Sequence, residues 1–117
     1  MERPDEASII GHDDDKTILM ELKDRLNNFL SDRLIRFVLY GSRARGDYDA
    51  ESDIDIAIIV RGLTRELKNQ ILDIVADIEL KYLTPISTLI LSEEDFDLLK
   101  KRERRIAIDI EREGISL

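Results

Sequence analysis

The 117-residue sequence contains no cysteine, which excludes disulfide bonds and thiolate chemistry. It also lacks any apolar run of about 18 residues and any signal-peptide pattern, so we expect no membrane-spanning or exported segment. Basic residues are outnumbered by acidic ones, 18 against 26, which gives a net charge of −8. Because non-specific binding of nucleic acid requires a basic surface, broad nucleic-acid binding is not expected. These absences together favour a cytoplasmic protein.

The composition is typical of one globular domain with a short polar extension. Apolar residues make up 43% of the chain, enough for a single modest core. Residues 1–16 are polar and include three consecutive aspartates, so we expect a flexible N-terminal arm there. Residues 17–117 are then expected to form the single folded domain.

Apolar periodicity after residue 16 predicts helices that alternate with strands. Helical spacing begins at Thr17, after Thr64 and after Ser92, and the last two residues are predicted helix N-caps. Strand-like runs occupy residues 35–40, 54–60 and 86–91. We therefore expect an α/β or α+β fold, with a small mixed β-sheet and helices packed on one of its faces.

The first strand-like run stops at Gly41-Ser42, a pattern that fits a phosphate-binding turn. Gly41 permits a backbone conformation that other residues avoid, and it lets a ligand approach the main chain. Ser42 can cap the following turn and offer its hydroxyl to a phosphate, while Arg43 and Arg45 add positive charge. Taken alone, this pattern is more often a plain strand-to-helix turn with solvated arginines.

Ten residues separate Ser42 from Asp53, which with Asp55 begins the second strand. Alternation along a strand places both aspartates on one face and Ile54 on the other. Two like charges this close repel by roughly 1 kcal/mol in water and roughly 4 kcal/mol near a protein surface. A divalent cation removes that repulsion, and hard oxygen ligands suit Mg²⁺ or Mn²⁺. The alternative is a strand start with incidental carboxylates, and the nearby Gly-Ser turn weighs against it.

The combined pattern resembles the signature of the minimal nucleotidyltransferases, a branch of the DNA polymerase beta superfamily. The matching residues are Gly41-Ser42, a ten-residue spacing, and then Asp53 and Asp55. The sequence Arg-Glu-Gly-Ile at residues 112–115 is also similar to this family, so the resemblance covers most of the chain. It implies a nucleotidyltransferase fold that moves a nucleoside monophosphate from a triphosphate to an acceptor with the help of a metal.

The resemblance also implies a role for each residue of the pattern. Gly41 and Ser42 would hold the β- and γ-phosphates of ATP, and Arg43 or Arg45 would neutralise the leaving pyrophosphate. The two aspartates would hold one or two Mg²⁺ or Mn²⁺ ions and form the catalytic centre.

The third carboxylate of the family is missing at its expected place. Family members usually carry it on the strand after the second helix, where this chain has Ser87. Asp77 and Glu79 come earlier, near the end of the predicted helix, and we assign neither as the missing ligand. The chain would therefore work with two carboxylates, borrow one from a partner, or bind nucleotide without turning it over.

The resemblance further implies the antitoxin half of a toxin–antitoxin pair. The partner would be a small helical HEPN-type ribonuclease, and the reaction would adenylylate a tyrosine of that toxin. One alternative is a catalytically weak or inactive nucleotide-binding module that neutralises its partner by contact. Another is a transferase for a small hydroxyl or amine acceptor. Assembly into a homo- or hetero-oligomer is left open by the sequence.

Overall fold

Four helices and four strands account for most of residues 13–41 and 53–117, which are the parts of the chain that the computed structural model describes. The helices are α1 (Asp13–Leu30), α2 (Arg65–Tyr82), α3 (Glu93–Lys101) and α4 (Arg105–Glu113). The strands are β1 (Leu34–Tyr40), β2 (Ile54–Val60), β3 (Ile86–Ser92) and β4 (Ile115–Ser116), and a 3-10 turn (Ser31–Arg33) joins α1 to β1.

The strands form one mixed sheet in the order β3-β2-β1-β4. Strand β1 is antiparallel to both β2 and β4, whereas β2 and β3 are parallel. Because of these directions, β1 ends at the same end of the sheet at which β2 and β3 begin. The mixed sheet and the α+β class are confirmed, while the short strand β4 has no counterpart among the sequence predictions.

Helices cover both faces of the sheet, so the prediction that they pack on one face is wrong. The reason lies in β2, where every residue from Ile56 to Val60 is buried and both faces therefore need apolar cover. One core lies between the sheet and helices α1 and α2, and a second lies between the sheet and helices α3 and α4. Buried members of the second core are Val38, Ala57, Ile59, Phe96, Ala107 and Ile110.

Both predicted N-caps are present. The Thr64 hydroxyl accepts a hydrogen bond from the Leu67 amide at 3.1 Å and begins α2. The Ser92 hydroxyl accepts one from the Asp95 amide at 3.0 Å and begins α3. These short-range bonds satisfy amides that the first helical turn would otherwise leave unpaired, which is why the sequence locates them well.

Helix α1 is already formed at Asp13, four positions before the predicted start at Thr17. Residues 13–16, assigned above to the flexible arm, are therefore helical, and Asp15 is buried. The remainder of the predicted arm lies outside the described residues. Neither α1 nor any other helix in the described ranges is both long and apolar enough to cross a membrane.

The single final helix expected after Ser92 is divided into α3 and α4. Glu103 adopts a left-handed conformation with φ of 53°, and the Arg104 amide donates to the Leu99 carbonyl at 3.0 Å, which closes α3. No apolar side chain occurs between Leu99 and Ile106, so nothing in that stretch packs a continuous helix onto the sheet. Arg102, Glu103 and Arg104 form the exposed turn between the two helices.

Candidate active site

Asp53, Asp55 and Ser87 lie at the end of the sheet where β2 and β3 begin and β1 ends. Asp53 is exposed and immediately precedes β2, whereas Asp55 is its second residue and is half-buried. The antiparallel register pairs Asp55 with Tyr40 of β1. On its other side, the parallel register pairs Asp55 with Ser87 of β3. Backbone pairing on both sides thus fixes Asp55 between Tyr40 and Ser87 at this end of the sheet.

Asp55 and Ser87 belong to the same face of the sheet. Asp55 shares its face of β2 with Ala57 and Ile59, which pack under α3 and α4. Ser87 occupies the same face of β3, as shown by Leu89 two residues later, which packs against that core. The position opposite Asp55 on the neighbouring strand is therefore filled by an exposed hydroxyl rather than a carboxylate.

Gly41 brings the two halves of the sequence pattern into contact. Its φ is +77°, a conformation that disfavours residues with a side chain. A Cβ atom at this position would lie 2.5 Å from Oδ2 of Asp55, closer than real Cβ contacts allow. The main chain at Gly41 therefore lies against the Asp55 carboxylate, and a side chain at this position would have to displace that carboxylate.

Tyr40 is a site neighbour that the sequence treats only as a strand residue. Burial, and next the negative charge of Asp55, raise the pKa of the Tyr40 phenol above its ordinary value of 10.0. The phenol therefore stays neutral at neutral pH. Strand alternation alone does not reveal this neighbour, because the pairing of β1 with β2 and its register decide which residue faces Asp55.

The remaining predicted site residues, Ser42, Arg43 and Arg45, lie outside the described residues. Their phosphate-binding and charge-neutralising roles stay predictions from the sequence. These residues follow Gly41 in the sequence, and Gly41 lies beside the Asp55 carboxylate.

The donors on this edge fit a hard divalent cation that keeps part of its water shell. Asp53 and Asp55 provide two carboxylates, and no group of three or more acidic, histidine or cysteine side chains suited to a metal occurs in residues 13–41 and 53–117. Mg²⁺ in phosphoryl-transfer sites is commonly held by one or two carboxylates together with water and substrate phosphates. Two carboxylates suffice for such a site, and Ser87 adds a neutral oxygen beside it.

Asp77 and Glu79 are held elsewhere and do not replace the missing carboxylate. Both belong to α2, which covers the face of the sheet opposite to Asp55. Asp77 is bonded to Arg25 of α1 at 3.3 Å. Glu79 accepts the amide of Ile86 at 2.8 Å and so fixes the beginning of β3.

Comparison with known proteins places this geometry in a family context. The family model described as polymerase beta, nucleotidyltransferase matches residues 21–117. The chain is 43% identical over 74 residues to Putative protein adenylyltransferase MJ0141 of Methanocaldococcus jannaschii, covering 62% of this chain and 75% of the relative. It is 35% identical over 79 residues to Putative protein adenylyltransferase MJ0604 of the same organism, covering 68% and 75%. A crystal structure of a putative nucleotidyltransferase from Sulfolobus solfataricus aligns with a TM-score of 0.49 and 19% identity, over 91% of this chain and 86% of that one.

Proposed function

This chain belongs to the polymerase beta nucleotidyltransferase family, and on that premise we propose that it transfers AMP from ATP to a tyrosine of a protein acceptor. The observation that carries the proposal is the contact between the Gly41 turn and the Asp55 carboxylate. That contact supports the proposal because it sets the main chain that would hold phosphate beside the carboxylate that would hold the metal. Two relatives whose names include protein adenylyltransferase support a protein, rather than a small molecule, as the acceptor.

The main chain at Gly41 and the following Ser42 would bind the β- and γ-phosphates. Free amides and a hydroxyl are suited to phosphate oxygens, and the absence of a side chain at Gly41 leaves room for them. Arg43 or Arg45 would offset the charge that accumulates on pyrophosphate as it leaves. Because phosphoryl transfer depends mainly on positioning and charge, this short turn can supply much of what the reaction requires.

Asp53 and Asp55 would hold Mg²⁺ or Mn²⁺ at the edge of the sheet. The ion would neutralise phosphate charge and lower the pKa of the attacking hydroxyl. Asp55 is held in place by its neighbours on β1 and β3, whereas Asp53 lies exposed just before β2. One ligand is thus fixed by the sheet and the other is accessible to an incoming nucleotide.

The reaction joins the tyrosine oxygen to the α-phosphorus of ATP and breaks the bond from that phosphorus to the pyrophosphate oxygen. The tyrosine loses its proton and pyrophosphate departs. Asp53 and Ser87 are exposed at the end of the sheet where β2 and β3 begin, so we propose that the acceptor approaches at that end. We propose a small helical HEPN-type toxin in the cytoplasm as the source of that tyrosine, with this chain as its antitoxin.

Ser87 favours a second candidate function. If three carboxylates are needed for turnover, a hydroxyl opposite Asp55 leaves the site one charge short. The chain would then be a weak or inactive nucleotide-binding module that neutralises its partner by contact. The two functions differ in one observable, which is whether the partner carries AMP after incubation.

The test is mass spectrometry of the acceptor. The chain, ATP and Mg²⁺ are incubated with a small helical protein encoded by a neighbouring gene, and both proteins are digested and sequenced. We expect the mass of AMP on a partner tyrosine, and its loss in the Asp53→Asn, Asp55→Asn double variant. Asp73→Asn is the matched control, since Asp73 is an exposed carboxylate on α2. An unmodified partner whose toxicity is nevertheless suppressed would reject transfer and favour the binding module.

A further inference from the structure

The two flanks of helix α2 differ in polarity and in what covers them. The flank that meets α1 is polar, with Asp77 bonded to Arg25 at 3.3 Å and Lys81 to Glu21 at 2.8 Å. The flank turned away from α1 lies on the side of β3, where Glu79 reaches the first residue of that strand. In the described part of the chain, this second flank has no helix beside it.

Apolar residues form a stripe along that uncovered flank. Positions 72, 76, 80 and 83 recur at helical spacing and share one side of α2. Three of them are leucines that expose 40%, 74% and 87% of their surface, in chain order, and the fourth is an exposed alanine. We call this the α2 stripe: Leu72, Ala76, Leu80 and Leu83.

In an isolated chain, leucine at position 83 is unfavourable for two reasons. It closes α2 in the left-handed conformation with φ of 51°, which disfavours residues that have a Cβ atom. It also exposes nearly all of a large apolar side chain to water. Glycine would satisfy the cap without either disadvantage, so the leucine is best explained by a surface that covers it.

Strand β3, next to the α2 stripe, is an open edge of the sheet. It has seven residues, and in the described ranges only β2 pairs with it. Its sequence Ile-Ser-Thr-Leu-Ile-Leu-Ser contains no charge and no proline, which are the usual means of keeping an edge strand from pairing. The outer N–H and C=O groups of β3 can therefore pair with a further strand, which a purely helical partner does not provide.

We propose that a second copy of this chain covers the α2 stripe and the β3 edge together. Leu72 and Leu80 are each four residues from Ala76, so two antiparallel α2 helices related by a two-fold axis at Ala76 would place Leu72 against Leu80 of the other copy. The small alanine permits close approach at the axis. The same axis would make the two β3 strands antiparallel to each other. Pairing between them would then join the two four-stranded sheets into one.

This dimer leaves the candidate active sites open. The α2 stripe lies on the α1 and α2 side of the sheet, whereas Asp55 and Ser87 lie on the side of α3 and α4. The two sites of the dimer would face the same direction and take two acceptors. The proposal concerns association alone and does not depend on nucleotide transfer.

Sedimentation velocity of the full chain without nucleotide tests the interface. Wild type is expected to be a dimer at micromolar concentration, and Leu80→Lys is expected to raise the dissociation constant by at least ~100-fold, since each interface loses two buried leucines. Leu98→Lys is the matched control, because Leu98 is a leucine of α3 that exposes 45% of its surface. Leu83→Gly should weaken the dimer while raising the unfolding temperature of the diluted monomer, a combination that a loss of folding cannot produce.

Cross-linking supplies the geometry. The chain has no cysteine, so Ala76→Cys introduces one thiol at the proposed axis and should give a disulfide-linked dimer under mild oxidation. Met20→Cys, at an exposed position on α1, should not. A wild type that stays monomeric at high micromolar concentration would overturn the proposal. So would a Leu80→Lys variant that still dimerises, or equal cross-linking at residues 20 and 76.

Discussion

Gly41 is the residue on which the geometry of the site depends most, because its missing side chain lets the turn rest on Asp55. The sequence indicates both residues but not their contact. Glycine permits a positive φ wherever it occurs, whereas the 2.5 Å approach of its virtual Cβ to Oδ2 follows from the pairing of β1 with β2. The sequence therefore indicates that Gly41 belongs to the site. That Gly41 contacts Asp55 is known only from the structure.

Substitution of Gly41 by alanine is expected to destabilise the fold by about 1–2 kcal/mol through backbone strain and, in addition, to displace the Asp55 carboxylate. Gly62→Ala is the matched control, since Gly62 also has a positive φ, +66°, but no atom lies within 4 Å of its virtual Cβ. Chemical denaturation and ATP titration of both variants separate the two effects. Equal loss of ATP affinity in the two variants would contradict the Asp55 contact.

The paired aspartates are expected to bind a metal that stabilises the fold. Mg²⁺ at 100 times its dissociation constant should raise the free energy of unfolding by ~2.7 kcal/mol, because only the folded chain holds the ion. The Asp53→Asn, Asp55→Asn double variant should lose this increase, and Asp73→Asn should keep it. Thermal unfolding with and without Mg²⁺ provides the measurement, and an increase retained in the double variant would remove the metal from these residues.

Ser87 is the position at which a single change should increase activity. Ser87→Asp would place a third carboxylate beside Asp55, tightening metal binding and accelerating transfer. Without metal, the added charge should destabilise the fold by roughly 1–4 kcal/mol, the repulsion of two like charges between water and a protein surface. Transfer rates at saturating Mg²⁺ provide the measurement, with Ser116→Asp on β4 as a control for added charge. Unchanged or slower transfer would show that the third ligand does not belong at residue 87.

At the scale of elements, the contact between α1 and α2 depends on the charge of Glu21. Hydrogen bonds from the Lys81 ammonium and next from the Tyr82 hydroxyl, at 2.8 Å and 2.5 Å, lower the pKa of Glu21 below its ordinary value of 4.5. A lowered folded pKa means that this carboxylate adds stability above the unfolded value. That contribution disappears as the pH falls through the lower folded value.

The unfolding temperature of wild type should therefore fall on acidification below about pH 4.5, the ordinary value for Glu21. In Glu21→Gln the acid limb should be less steep, because glutamine does not titrate. Glu94→Gln, an exposed position in the first turn of α3, serves as the control. If the unfolding temperatures of wild type and Glu21→Gln fell equally on acidification, protonation of Glu21 would not contribute to the loss of stability.

The elements themselves were predictable to different degrees. Thr64 and Ser92 were identified as N-caps because capping is a contact between residues three apart. The break between α3 and α4 cannot be predicted from the sequence, because charged residues are common in helices and nothing local prevents Glu103 from continuing one. Strand β4 cannot be predicted from the sequence because two residues carry no periodicity, and only pairing with β1 makes them a strand.

At the scale of the whole molecule, the sheet separates two surfaces for which we propose different roles. On the face that α3 and α4 cover, Asp55 lies at the end of the sheet where nucleotide and acceptor would meet. The face under α1 and α2 carries the α2 stripe and would associate with a second copy. The fold class was predictable because alternating helical and strand periods require a layered structure. The presence of helices on both faces of the sheet was not predictable, since Ala57 and Ile59 have no distinctive period within the apolar run of β2.

The central claim is that the edge formed by Gly41, Asp53 and Asp55 is a metal-dependent nucleotidyltransfer site. Its most direct test is the transfer of label from α-³²P ATP to the helical partner, compared between wild type and the Asp53→Asn, Asp55→Asn double variant. We expect Mg²⁺-dependent labelling by wild type that a chelator abolishes, and a loss of at least ~100-fold in the double variant, which corresponds to about 2.7 kcal/mol of transition-state stabilisation. Labelling that persists at the wild-type rate in the double variant would contradict the claim.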